Sequence, residues 1–125
     1  MDDLIIEATK YTPSINLNAK TGIFSIAGDS YPENTFDFYQ PVLDWINKYF
    51  KTSAQEITTL HFEVIYYNSS TSKLFFDLFD LLEEVEQQHK LVINWIFDEG
   101  NESAEEAGQD FIEYFESLKI NLVKK

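Results

Sequence analysis

Ile57-Thr58-Thr59-Leu60-His61-Phe62-Glu63-Val64-Ile65-Tyr66-Tyr67 runs without a linker into Asn68-Ser69-Ser70-Thr71-Ser72-Lys73. Branched and aromatic side chains fill a pleated surface well, so the first stretch reads as a mostly buried central strand. From Leu74 onward the apolar period changes. Leu74, Leu78, Leu81, Leu82 and Val85 recur at helical spacing, and the hydroxyl residues before them are suited to capping. A strand that passes straight into a helix is half of a β-α-β unit, and Leu91-Val92-Ile93-Asn94-Trp95-Ile96-Phe97 supplies the returning strand.

The same alternation extends in both directions. Downstream, Asp98-Glu99-Gly100-Asn101 is a loop, Ser103-Ala104-Glu105-Glu106 fits a capping box, and the helix it opens carries Phe111, Tyr114 and Phe115 on its apolar side. Ile120-Asn121-Leu122-Val123 is expected as a short edge strand. Upstream, Ser14 to Leu17 and Gly22 to Ala27 alternate apolar with polar or small residues around an Asn18-Ala19-Lys20-Thr21-Gly22 hairpin turn. Leu4 to Ala8 can add a further short strand. Gly28-Asp29-Ser30-Tyr31-Pro32-Glu33-Asn34 breaks the pattern, and Asn34 can cap a helix with apolar positions Phe36, Tyr39, Leu43, Ile46, Tyr49 and Phe50. Pro41 inside that span predicts a kink or a helix in two pieces. The expected fold is thus α/β in the mixed, α+β sense. An N-terminal hairpin precedes alternating helices and strands, forming a mixed sheet with helices packed on it, as one domain over residues 1–125.

Composition narrows the function. With 44% hydrophobic and 16% aromatic residues, the chain has enough apolar surface to offset the entropy of ordering one core. It has no cysteine, which excludes disulfides, thiolate metal sites and cysteine nucleophiles. Met1-Asp2-Asp3-Leu4-Ile5-Ile6-Glu7 is acidic where a signal peptide is basic, and no apolar run reaches membrane-spanning length, so a cytoplasmic protein without a membrane partner is expected. A net charge of −13 repels phosphate backbones, so nucleic acid is not an expected partner.

Enzyme signatures are missing. There is no glycine-rich phosphate loop, nucleophile elbow or metalloprotease helix, and neither a cofactor nor a metal is expected. His61 lies in a strand and His89 at a helix end, each with an ordinary structural explanation. Asp77, Asp80, Glu83 and Glu84 sit on a polar helix face rather than in a cleft that would separate their acidities. The remaining unusual feature is the hydroxyl run. One cap needs one such residue, so Ser69, Ser70, Thr71 and Ser72 either compete to satisfy the free amides or include a phosphoacceptor. A phosphate there would meet the positive end of a helix with Lys73 near it. On the helical wheel Phe76 points away from the predicted buried stripe and Phe79 lies at its margin, beside Lys73, Asp80 and Glu83. A partner surface is one reading of these aromatics and coverage by another element is the other.

Three stretches resemble the SiaC-type regulatory phosphoproteins of bacteria. They are Gly28 to Asn34, Tyr67 to Lys73, and Asp77-Leu78-Phe79-Asp80-Leu81-Leu82-Glu83-Glu84, and the similarity runs along nearly the whole chain. The resemblance implies a STAS-like fold, loosely similar to anti-sigma-factor antagonists, and a non-catalytic switch that is phosphorylated before a helix. A dedicated serine/threonine kinase adds the phosphate and a PP2C-type phosphatase removes it. The unphosphorylated form binds an effector, a diguanylate cyclase in the best-known member, raising cyclic di-GMP and favouring biofilm growth. Carried onto this sequence, the acceptor is Ser69, in place of a threonine. Asn68, Ser70, Lys73, Phe76, Phe79 and Asp80, with Tyr31, Glu33 and Asn34, are the expected partner-binding residues. A constitutive adaptor with an unmodified serine run, and a small enzyme built on His61 or the helical carboxylates, are the competing readings.

Overall fold

The side-chain oxygen of Asn18, the last residue of β2 (Ser14–Asn18), accepts hydrogen bonds from the Lys20 and Thr21 amides at 2.9 and 3.1 Å. Gly22 closes the turn at φ +71, a conformation that a Cβ would strain, and a Cβ there would also approach the Ile57 carbonyl to 2.9 Å. This turn returns the chain antiparallel as β3 (Ile23–Ser30), and β1 (Leu4–Ile6) pairs antiparallel with the far side of β2. The computed structural model describes residues 1–125. After the hairpin it contains α1 (Thr35–Thr52), β4 (Ile57–Tyr67), α2 (Ser69–Glu86), β5 (Lys90–Phe97), α3 (Glu102–Tyr114) and β6 (Ile120–Lys124).

All six strands join one sheet in chain order, β1-β2-β3-β4-β5-β6, with β3 to β6 parallel. Each crossover moves one strand in the same direction. Because such crossovers are right-handed, all three helices lie on one face. Burial follows from that arrangement. Phe24 and Ile26, then Leu60, Phe62 and Val64, then Leu91, Ile93, Trp95 and Phe97 are buried under the helices. The intervening Ser25, Thr59, His61, Val92 and Asn94 are only half-buried on the open face. The central strand β4 therefore alternates, with one face under the helices and the other half-buried.

Four sequence expectations are corrected. Pro41 does not divide α1, and it is exposed, so the carbonyl it leaves unpaired one turn earlier can meet water. Phe36, in the first turn of α1, is 60% exposed, while Val42 takes a core position instead. The cap of α3 is Asn101 rather than Ser103, with its side-chain oxygen accepting from the Ala104 amide at 3.1 Å. Tyr114 ends α3 on the solvent side, and Ala104, Phe111 and the capping Phe115 carry the apolar contact into the core.

Candidate functional site

Three helices start at the carboxyl end of the parallel strands, and each is capped by an asparagine: Asn34, Asn68 and Asn101. Asn68 joins β4 directly to α2, and its side-chain oxygen accepts from the Thr71 amide at 2.9 Å. The neighbouring strand β3 ends at Ser30, so the segment from Gly28 to Asn34 and the serine run leave the sheet side by side.

Ser30 holds the two together. Its carbonyl accepts from the Asn68 amide at 3.2 Å and from the Thr71 hydroxyl at 3.1 Å. Its hydroxyl lies 3.0 Å from Thr71 Oγ1 and 2.6 Å from the Tyr39 hydroxyl. Since Thr71 spends its proton on the Ser30 carbonyl, Ser30 donates to Thr71 and Tyr39 donates to Ser30. Each hydroxyl thus donates once, in one direction. Ser30, Thr71 and Tyr39 are all buried, and burial drives the Tyr39 phenol well above its ordinary value, against the lowering effect of the Ser30 hydrogen bond. Tyr67, packed edge-on against Phe75 at 5.3 Å, is raised by burial first and by the Asp110 carboxylate second.

This geometry sorts the four hydroxyls. Thr71 has no accessible surface and its oxygen is committed, so no kinase can reach it in this fold. Ser72 is half-buried. Ser69 and Ser70 are exposed in the first turn of α2, where backbone amides lack intrahelical partners, and a phosphate would meet the positive end of the helix. Lys73 is exposed one turn later and belongs to no ion pair; the single ion pair joins Lys125 to Glu63.

Tyr31 and Glu33 are exposed next to this segment. Tyr31 packs edge-on against Tyr11 at 5.4 Å and donates its amide to the Tyr11 carbonyl at 2.8 Å. With Pro32 and Thr9 they line a depression of about 520 Å³. Asn34 is exposed, and its side-chain oxygen accepts from the Asp37 amide at 3.1 Å, which gives it a capping role. Asp80 is exposed on α2.

Phe79 and Phe76 do not stand on a free surface. Phe79 is 0% exposed, enclosed by Phe62, Trp95, Phe111 and Phe115 with ring centroids at 4.8 to 6.1 Å. Phe76 is half-buried and stacks on Phe111 at 4.7 Å, with Tyr114 edge-on at 5.3 Å. The physical reason is α3, which covers this flank of α2 and which one-helix periodicity cannot see. The sequence reading also missed Ser30 and Tyr39 as the lock on the site. Ser30 stood inside the quoted Gly28 to Asn34 segment, but nothing in its spacing pairs it with Thr71. Asp29 beside it has a buried Oδ1 without a hydrogen-bond partner.

His61 lies half-buried on the open sheet face with Nδ1 at 3.3 Å from the Asn94 amide nitrogen. Asp77, Asp80 and Glu84 are exposed, and Glu83 accepts from the Ser117 hydroxyl at 2.8 Å. These groups form no shared cleft, and no three acidic or histidine side chains converge as metal ligands would. No helix is long and apolar enough to cross a membrane.

Known proteins share this fold. An uncharacterized protein of Pseudomonas aeruginosa is 37% identical over 114 residues, covering 90% of each chain. The crystal structure of the diguanylate cyclase SiaD in complex with its activator SiaC, from Pseudomonas aeruginosa, contains a chain that superposes with a TM-score of 0.91 at 32% identity, covering 98% of this chain and 100% of that one. Apo-SiaC from the same organism superposes with a TM-score of 0.87 at 30% identity, covering 98% and 99%. The model of the SiaC family regulatory phosphoproteins matches residues 6–125. The chain belongs to the SiaC family of regulatory phosphoproteins.

Proposed function

We propose that this chain is a cytoplasmic, non-catalytic switch, acting as one domain over residues 1–125, that binds and activates a diguanylate cyclase while Ser69 is unphosphorylated. A serine/threonine kinase ends the interaction and a PP2C-type phosphatase restores it. The observation that carries this reading is the end-to-end likeness to a cyclase activator, SiaC, in its complex with SiaD. The exposure of Ser69 at the start of α2, against the burial of Thr71, supports Ser69 as the acceptor.

The physical mechanism needs no refolding. Asn68 and the Thr71–Ser30 hydrogen bonds fix the first turn of α2 independently of the Ser69 side chain. A phosphate on Ser69 adds nearly two negative charges to an interface that must lose water on docking, and an unmatched buried charge there costs several kcal/mol. Asn68, Ser70, Lys73 and Asp80, with Tyr31 and Glu33, are the accessible residues of the proposed contact surface. Asn34 contributes by capping the start of α1.

The test is a reconstituted assay with the diguanylate cyclase of the same organism, reading cyclic di-GMP production. The native chain and Ser69→Ala should activate equally, and Ser69→Asp should activate at least tenfold less. Equal activation by all three would refute the Ser69 switch, and an inert native chain would refute the cyclase as effector. Phosphopeptide mapping of protein from its native cells should place the phosphate on Ser69.

A further inference from the structure

We propose that the open face of the sheet, opposite the three helices, docks against the same face of a second copy of this chain. The inference goes beyond the proposed switch and does not depend on it. Ser69 belongs to α2, on the helix side of the sheet, and stays accessible in both copies.

Strand alternation sends every second side chain away from the helices. Apart from Met1, the large aliphatic side chains that the chain exposes are Ile5, Ile23, Ile57, Ile65 and Val123, and all five stand at these outward strand positions. None lies on a helix. Val92 and Ile96, half-buried on β5, continue the apolar surface through the middle of the face. Between them runs a polar row in register from strand to strand, Asn16, Ser25, His61, Asn94 and Asn121. The Asn121 amide donates to the Asn94 side-chain oxygen at 3.2 Å, and the Asn94 amide donates to His61 Nδ1 at 3.3 Å. These polar atoms are paired within the chain already, so covering them leaves no donor or acceptor stranded between the three side chains.

Charge and area select a second copy as the occupant. The chain carries 22 acids against nine bases, yet the outward strand positions hold only Asp29, Glu63 and Lys90, and Lys125 reaches back to Glu63 at 2.7 Å. The face is therefore balanced, two acids against two bases, on a molecule of net charge −13. Two such molecules repel across the rest of their surface and can meet here without setting like charges against each other. A basic partner, by contrast, finds no excess of negative charge on this face. Six strands about 4.8 Å apart and about 20 Å long present on the order of 600 Å². Two copies would cover on the order of 1,200 Å² in total, at the small end of specific interfaces, so the dimer should be reversible. Twofold packing of sheet on sheet sets each aliphatic rim against its equivalent.

Sedimentation velocity of the full-length chain, from about 10 μM to 1 mM, should show a monomer–dimer equilibrium. Because the copies repel elsewhere, the dissociation constant should tighten severalfold as NaCl rises from about 0.02 to 0.3 M. Thr59→Lys, in the middle of the face, and Ile23→Lys, at an exposed rim position that the fold can spare, should each weaken the dimer by about tenfold or more. Phe36→Lys, on the helix side and 60% exposed in the native chain, should leave it unchanged. In ¹⁵N spectra of the native chain, dilution should move the amides of Ser25, His61, Asn94 and Asn121 and leave α1 and α2 in place. A monomer at every concentration, a dimer indifferent to both Thr59→Lys and Ile23→Lys, a dimer lost equally in Phe36→Lys, dilution shifts confined to the helices, or weakening by salt would each overturn the proposal.

Discussion

Thr71 and Ser69 are two residues apart and serve opposite ends. The hydroxyl of Thr71 closes a chain of three buried hydroxyls, whereas that of Ser69 stands in solvent. Thr71→Val keeps the shape but leaves the Ser30 hydroxyl without an acceptor, so stability should fall by about 1–3 kcal/mol in urea denaturation. Phosphate incorporation at Ser69 in that variant should persist. Tyr39 gives a second prediction, through pH. Burial raises its phenol above the ordinary value of 10.0, so the folded chain holds a proton that the unfolded chain releases first. The stability this provides is complete below about pH 10 and is lost as pH rises toward the folded value. Tyr39→Phe cannot ionise. It should cost about 1 kcal/mol at neutral pH and flatten the alkaline decline, as denaturation series from pH 7 to 11 would show.

At the scale of elements, α2 shows what periodicity can and cannot reveal. The predicted stripe was Leu74, Leu78, Leu81, Leu82 and Val85, and the buried set is Thr71, Phe75, Leu78, Phe79 and Leu82, each three positions earlier. The helix is therefore turned by about 60° from the expected orientation. Both stripes exist in the sequence, because leucines and phenylalanines occupy adjacent faces. The choice is made by Phe62 and Trp95 on the sheet, by Phe111 on α3 and by Phe115 at its cap, residues distant in sequence. Strand positions fared better, since β4 spans the quoted Ile57 to Tyr67 and its turn chemistry is local. Caps are local too, and Asn34 was readable; Asn101 was mistaken for loop because Ser103 offered a competing box. Asn68→Ala should lower stability by about 1 kcal/mol through the lost bond to the Thr71 amide, measurable by thermal unfolding. Gly108 marks where α3 meets the sheet, for a Cβ there would lie 2.8 Å from Trp95 Cδ1 and 2.6 Å from Leu122 Cδ2. Gly108→Ala should thus destabilise by about 1–3 kcal/mol despite its better helix propensity.

Across the whole molecule, a net charge of −13 surrounds a sheet whose helices all lie on one side. Association with a partner that presents basic groups should slow by about tenfold between low salt and 0.5 M NaCl, with little change in dissociation, in stopped-flow or surface-binding measurements. The class of fold followed from element order alone, but the one-sided layer did not, because it depends on every crossover stepping the same way. That stepping has a further consequence for how the protein is made. Strand neighbours in space are neighbours in the chain, so each segment leaving the ribosome finds its docking edge already in place. Translation at about 5–20 residues per second leaves seconds between successive strands, ample for each β-α addition to settle before the next arrives. The nascent chain can close like a fan from its first rib: Ser30 and Tyr39 stand ready when the serine segment arrives, and Trp95, Phe111 and Phe115 fix the rotation of α2 afterwards.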